Sequence, residues 1–337
     1  MTQKQRIDAF VALGKVLASH SHKMDAVLRE ASIKNPWYTI ENTKKQLAAI
    51  SSNLMDEKLK QWLGSYPAIQ SNKVVGLILA GNIPLVGFHD ILCVLITGFH
   101  AQIKLSSDDA GLTTFVLQEL IKIEPAFAPK IQIVDRLQQY DFIIATGSDN
   151  SSRYFDYYFG KKPNIIRKNR NSLALLTGTE SAAQLKALGH DIFDYFGLGC
   201  RSVSKLYIPH GYDAHPFFEA IEDFSSVHDH YKYTNNYDYN KSIYLINGDK
   251  HLDNGFLLLK EDTRLASPLA TVFYEEYHHI NDVVSHLETQ ADKIQCIVTE
   301  ATIETSIPTF PLGDSQCPSL TDYADGIDVM AFLSEKK

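Results

Sequence analysis

The sequence predicts an α/β protein built from a nucleotide-binding domain and a second α/β domain, with a helical segment in front. Three observations carry the prediction. Short apolar runs closed by glycine or serine turns recur through the chain, beginning with Val74-Val-Gly-Leu-Ile-Leu-Ala80; such runs suit strands covered on both faces of a parallel sheet. Stretches with helical spacing alternate with them, the pattern of doubly wound sheets. The 337 residues also exceed what one simple core usually holds.

From Ile7 to about Leu63 apolar residues recur at three and four, as in Ile7, Phe10, Val11, Leu13, Val16 and Leu17, and Asn35-Pro36-Trp37 breaks the run. Residues 1–70 are expected to form a helical arm whose Trp37 and tyrosines serve packing. The run from Val74 is the first strand, and Gly81-Asn82-Ile83-Pro84 supplies the turn into a helix over Pro84–Thr97. Ala101–Leu105 is a second strand, with Ser106-Ser-Asp-Asp109 opening a helix through Leu120. Ile131–Val134 and Asp141–Ala145 repeat the scheme, and Thr146-Gly-Ser-Asp-Asn150 turns into a helix around Ser152–Phe159. Such turns, at the carboxyl ends of strands, are where helix N-termini offer amides to phosphate. A GxGxxG fingerprint is absent, so an ordinary Rossmann dehydrogenase is not indicated. Ser172–Leu176, Val203–Ile208, Ser242–Ile246 and Ile294–Val298 are further strands, with helices over Glu180–Tyr195 and near Pro216–Ser226. The expected division is a nucleotide-binding domain over 71–196, a catalytic domain over 197–310 and a C-terminal segment over 311–337.

Composition narrows the function. A hydrophobic content of 45% with 21% charged residues belongs to a folded globular chain. The net charge is −8 and no run of Lys or Arg forms a basic stripe, which argues against nucleic acid as a partner. The longest apolar runs fall well short of the roughly 20 residues that span a bilayer, and the N-terminus lacks a signal pattern. Cys93, Cys200, Cys296 and Cys317 lie far apart and form no CxxC pair, so neither a disulfide framework nor a metal site is expected, and a cytoplasmic setting is.

Cys200, within Gly197-Leu-Gly-Cys200-Arg-Ser, follows a helix and is flanked by glycine, which lets a substrate carbonyl approach. Arg201 or Lys205 is a cation at hand to favour its thiolate. Locally this stays open against a small buried hydrophobe or a cysteine–histidine hydrolase. His228, His230, His278 and His279 show no metal-ligand spacing. Glu275 and Glu276 are either a solvated face or part of a site.

Several stretches in order resemble the aldehyde dehydrogenase superfamily, and within it the LuxC-type acyl-CoA reductases. Gly81-Asn-Ile-Pro84 resembles the turn holding the active-site asparagine, and Lys104-Leu-Ser-Ser107 the lysine motif at the adenosine ribose. Thr146-Gly147-Ser148 resembles the Gly-Ser turn beside the cofactor phosphates, Gly197-Leu-Gly-Cys200 the catalytic-cysteine segment, and Ser267-Pro268 through Glu276 the later glutamate motif. The resemblance covers roughly Val74 to Leu333. It implies an aldehyde-dehydrogenase-like fold and an acyl-CoA reductase in which Cys200 attacks an acyl thioester and hydride then yields an aldehyde. Asn82 would steady the oxyanion, and Lys104, Ser106, Ser107, Gly147, Ser148 and Glu275 would bind the cofactor. The neutral Ser107 favours NADPH, with NADH as the alternative. The chain departs from hydrolytic relatives at Arg167-Lys-Asn-Arg-Asn-Ser172, where no glutamate stands to activate water. The resemblance also implies a homo-oligomer, although the chain is shorter than typical relatives. The competing readings are a cysteine acyltransferase or thioesterase, and a non-catalytic binder of acyl-CoA or nucleotide.

Overall fold

The computed structural model describes residues 1–19, 21–69, 71–147 and 149–335. The chain divides into two compact units, Met1–Asn169 with Ser319–Lys337, and Arg170–Pro318.

The first unit opens with helices α1 (Gln3–Ala18), α2 (His22–Lys34), α3 (Ile40–Asn53) and α4 (Asp56–Gly64). Thr2 starts α1 with a capping box, its hydroxyl accepting from the Gln5 amide while the Gln5 side chain accepts from the Thr2 amide. The unit continues through β1 (Val74–Ile78), α5 (Phe88–Ile96), β2 (His100–Lys104), α6 (Leu112–Ile123), β3 (Ile131–Ile133), β4 (Phe142–Thr146), α7 (Asp149–Phe159) and β5 (Asn164–Arg167). The strands form a parallel sheet in the order β3-β2-β1-β4-β5. Val75 and Leu77 of β1, Ile91 and Leu95 of α5 and Phe10 and Leu13 of α1 share one core, so the helical arm is built into this unit. Removing each such side chain from water contributes about 2 kcal/mol. Arg6 fixes the arrangement from within: its buried guanidinium donates from Nε to the Ile96 carbonyl at 2.6 Å.

The second unit contains β6 (Asn171–Leu175), α8 (Ala182–Phe193), β7 (Val203–Pro209), α9 (His215–Ala220), α10 (Tyr231–Asn247), β8 (Leu252–Asp253), β9 (Leu258–Glu261), β10 (Thr271–Tyr277), α11 (Ile280–Glu288), β11 (Ile294–Val298) and β12 (Thr309–Phe310). Its sheet runs β12-β11-β6-β7-β10-β9-β8, parallel except where β8 meets β9. Successive residues serve opposite faces. Ala174, Leu206, Ile208 and Val272 pack with α8 and α9, whereas Leu173, Leu175 and Tyr207 pack with Val283 and Leu287 of α11. The chain then returns to the first unit as α12 (Val329–Glu335), whose Val329, Met330 and Leu333 join that unit's core.

Three expectations are corrected. Ser242–Ile246 is not a strand but the last turns of α10, with Leu245 and Ile246 exposed and Tyr233, Tyr237 and Tyr244 buried. The boundary falls at Asn169/Arg170 rather than near 197, because β6 pairs with β7 and β11. The helix expected from Ser106 begins only at Leu112, after Ala110 and Gly111 take positive φ.

Candidate active site

The first unit collects its candidates along one edge of its sheet. Parallel strands present their carboxyl ends to the same side, and the order reverses between β1 and β4, the place where such sheets take ligands. Asn82 stands exposed in the turn after β1, Lys104 is the exposed last residue of β2, Ser106 and Ser107 follow it, and Gly147 follows β4. These five therefore share an edge. Ser148 lies outside the described residues.

Both glycine turns here are tight. A Cβ on Gly81 would lie 2.6 Å from Ser106 Oγ, and one on Gly147 would lie 2.7 Å from Phe155 Cε2, so a side chain would force the first turn away from Ser106 and the second away from α7. The turn carrying Asn82 is also held by the helical arm: the buried Tyr38 hydroxyl lies 2.8 Å from the Gly81 carbonyl and 3.1 Å from that of Ile83. Tyr38 thus does more than pack. Beyond Ser107, Asp108 is exposed while Asp109 is buried and accepts from the Thr113 amide at 3.2 Å. Burial pushes the Asp109 carboxyl up, against the pull of the Thr113 hydroxyl.

In the second unit Cys200 lies at the amino-terminal edge of the sheet, three residues before β7. The chain reaches it through a constrained turn in which Tyr195 (φ 54°), Phe196 (φ 58°) and Gly197 (φ 76°) are all left-handed. That conformation costs a non-glycine residue about 1 kcal/mol or more. Cys200 itself is half-buried, and its carbonyl accepts from Ser172 Oγ at 2.9 Å. The same hydroxyl lies 3.1 Å from Cys296 Sγ. Since its single proton goes to the Cys200 carbonyl, the Cys296 thiol is the donor. Burial pushes that thiol up to about 11, against Arg201 and Ser172, which pull it down; Cys296 is thereby kept a neutral packing residue.

Glu275 lies on β10 opposite Tyr207, well along the strand from the edge that carries Cys200. Its carboxylate accepts from Lys205 Nζ at 2.7 Å, and Lys205, with no exposed side-chain surface, also donates to the Thr263 carbonyl at 3.0 Å. The Lys205 charge is therefore matched by Glu275 rather than offered to Cys200. The neighbouring Ser204 donates to the Leu265 carbonyl at 2.8 Å, so β7 fixes the segment before β10 at two points. Arg201 lies over the Phe310 ring at 5.4 Å. Sequence reasoning also missed Asp191, Ser315 and Gln316, which reach the Cys200 turn from more than 100 residues away in the case of the latter two. No local signal announces such partners.

The two parallel α/β units place the chain in the structural class of the aldehyde dehydrogenases. Among solved structures it resembles aldehyde dehydrogenase 21 from Physcomitrella patens, with TM-score 0.67 and 13% identity over 98% of this chain and 79% of that one. The aldehyde dehydrogenase KauB from Pseudomonas aeruginosa gives 0.66 and 11% over 90% and 73%. An NAD-dependent benzaldehyde dehydrogenase from Corynebacterium glutamicum gives 0.66 and 13% over 92% and 81%. No curated protein matches the sequence. The family acyl-CoA reductase (LuxC) matches residues 21–222, more than half of the chain. The chain belongs to the acyl-CoA reductase (LuxC) family and is an oxidoreductase of acyl groups. Among the described residues no helix is long and apolar enough to cross a membrane.

Proposed function

We propose that Cys200 is the nucleophile through which this reductase takes an acyl group from coenzyme A, and that NADPH is its hydride donor. The observation that carries the reading is the setting of Cys200: a half-buried thiol on a glycine-flanked, left-handed turn whose own carbonyl is held by Ser172. The other buried thiol beside it is held neutral.

The Cys200 thiolate attacks the thioester carbonyl carbon, a new carbon–sulfur bond forms, and the bond to coenzyme A breaks, its thiolate leaving to take up a proton. The resemblance of Gly81-Asn-Ile-Pro84 to the turn that holds the family's active-site asparagine supports the Asn82 side-chain amide as donor to the oxyanion, a contribution often worth about 3–4 kcal/mol. Loss of the acyl group as aldehyde breaks the bond to Cys200 and returns the thiolate.

The carboxyl edge of the first sheet fits a nicotinamide dinucleotide, with exposed Lys104 for the ribose and the glycine-tight turns at Gly81 and Gly147. Once bound there, the cofactor supplies hydride to the acyl carbon. Neutral Ser107 supports NADPH; exposed Asp108 is the nearest carboxylate in sequence and weighs toward NADH. Between β5 and β6 the chain offers Lys168, Asn169 and Arg170 and no carboxylate, which supports transfer to hydride over hydrolysis. Four widely spaced cysteines without a CxxC pair support a cytoplasmic setting.

The test is Cys200→Ala, assayed for acyl-CoA-dependent NADPH oxidation and, separately, for NADPH binding. Turnover should be abolished and binding retained. Unchanged turnover would overturn the assignment.

A further inference from the structure

We propose that Asp191, Ser315 and Gln316 are positioning residues that hold Cys200 for attack, by clamping the backbone on both sides of it. The inference rests on the reading of Cys200 as nucleophile and adds the means by which the fold aims it.

The clamp is formed by a segment distant in sequence. Gly313 takes φ 95° and lies so close to α8 that a Cβ there would stand 2.9 Å from the Cβ of Ala187. From this approach the segment presents three donors to the fully buried carboxylate of Asp191 on α8: the Gly313 amide at 2.6 Å, the Ser315 amide at 3.0 Å and the Ser315 hydroxyl at 2.6 Å. Buried carboxylates require such partners. Asp191 thereby fixes where Ser315 and Gln316 can stand.

Each then holds one side of the Cys200 turn. The Ser315 hydroxyl shares its one proton between Asp191 and the Arg201 carbonyl, which lies 3.0 Å away and immediately follows Cys200. Gln316 Nε2 donates at 3.3 Å to Ser202 Oγ, which in turn accepts from the Gly199 amide at 3.2 Å, immediately before it. With Ser172 on the Cys200 carbonyl, the three consecutive residues Gly199, Cys200 and Arg201 each have a backbone group tied. The left-handed run at Tyr195–Gly197 leads the chain into this turn through a conformation that non-glycine residues disfavour, and the ties add to what holds the turn in place. A nucleophile displaced by about 1 Å from its reacting geometry can lose roughly 100-fold in rate.

A purely structural role would lower stability and leave chemistry in the folded fraction unchanged. The full chain is therefore compared with Ser315→Ala, Gln316→Leu, the double variant and Ser315→Thr, which keeps the hydroxyl. The readouts are the single-turnover rate of acyl adduct formation on Cys200 by intact mass with acyl-CoA alone, steady-state kcat and KM, and thermal melting. Each single variant should lose roughly 10-fold in acylation rate and kcat, while KM changes by less than about twofold. Ser315→Thr should keep the parent rate. Acylation in the double variant within about twofold of the parent overturns the clamp, as does a loss that follows only the unfolded fraction. A parent that forms no adduct on Cys200 overturns the nucleophile reading itself, an outcome distinct from an acylating parent with unaffected variants.

Discussion

Asp191 accepts three hydrogen bonds and is still pushed up to about 6, because burial outweighs the pull of Ser315 and Gly313 and nearby Asp194 adds to it. The sign for stability follows. The carboxyl holds its proton more tightly folded than unfolded, near 3.8, so its contribution is fully present below about pH 4 and is lost as pH rises to about 6, by up to roughly 3 kcal/mol. Urea unfolding across that window should show stability falling with pH from this group, and Asp191→Asn should flatten the slope. An unchanged slope in the variant would contradict the assignment. Tyr38 and Lys205 make a related point: the sequence offered one for packing and the other as a cation for Cys200, and each is instead engaged by a carbonyl far along the chain, Gly81 for one and Thr263 for the other.

At the scale of elements, α5 is apolar on nearly every side yet carries Asp90, which receives both terminal nitrogens of Arg167 at the end of β5, at 2.5 and 2.9 Å. Both side chains are more than nine-tenths buried. Asp90→Ala leaves a guanidinium uncompensated between helix and sheet, and denaturant titration should show a loss of about 3–5 kcal/mol; a loss below about 1 kcal/mol would mean the charge finds water. Strands β1 to β4 of the first sheet were legible as short, largely apolar stretches with a turn behind each, whereas β5 was missed, because its two isoleucines stand between Asn164 and Arg167 and make too short an apolar run to announce a strand. The end of α10 was not legible either: Ile243-Tyr-Leu-Ile246 has strand composition, but the helix buries a tyrosine stripe instead and leaves Leu245 and Ile246 outside.

Across the whole molecule, the first unit is discontinuous, since residues 319–337 return to it after the second unit is complete. Trp62 Nε1 donates to the Tyr323 hydroxyl at 2.8 Å, the Tyr66 hydroxyl donates to Asp328 at 2.7 Å, and Val329, Met330 and Leu333 are buried with them. Truncation after Pro318 removes all of these, at about 2 kcal/mol for each lost apolar side chain. Both tryptophans, Trp37 and Trp62, belong to this unit, so tryptophan fluorescence reads its unfolding alone; its midpoint should fall in the truncated protein, and an unchanged midpoint would contradict the packing described. The same long-range closure explains why the sequence misplaced the domain boundary. Strand β6 follows β5 closely in the chain, yet its hydrogen-bonding partners β7 and β11 lie about 30 and 120 residues further on, and only pairing assigns it to the second sheet. Cys200 and its glycines were legible as a local pattern. The ties on Gly199 and Arg201 were not, since they depend on a segment more than 100 residues away.

The enclosure of Lys205 has a chemical consequence. An enzyme that handles activated acyl groups exposes its own amines to acylation, and Lys205 stands five residues from Cys200, the nucleophile proposed above. Its side chain is covered on all sides, and its nitrogen is engaged by Glu275 and the Thr263 carbonyl. Burial of this kind keeps an amine out of reach of acylation by a thioester in solution.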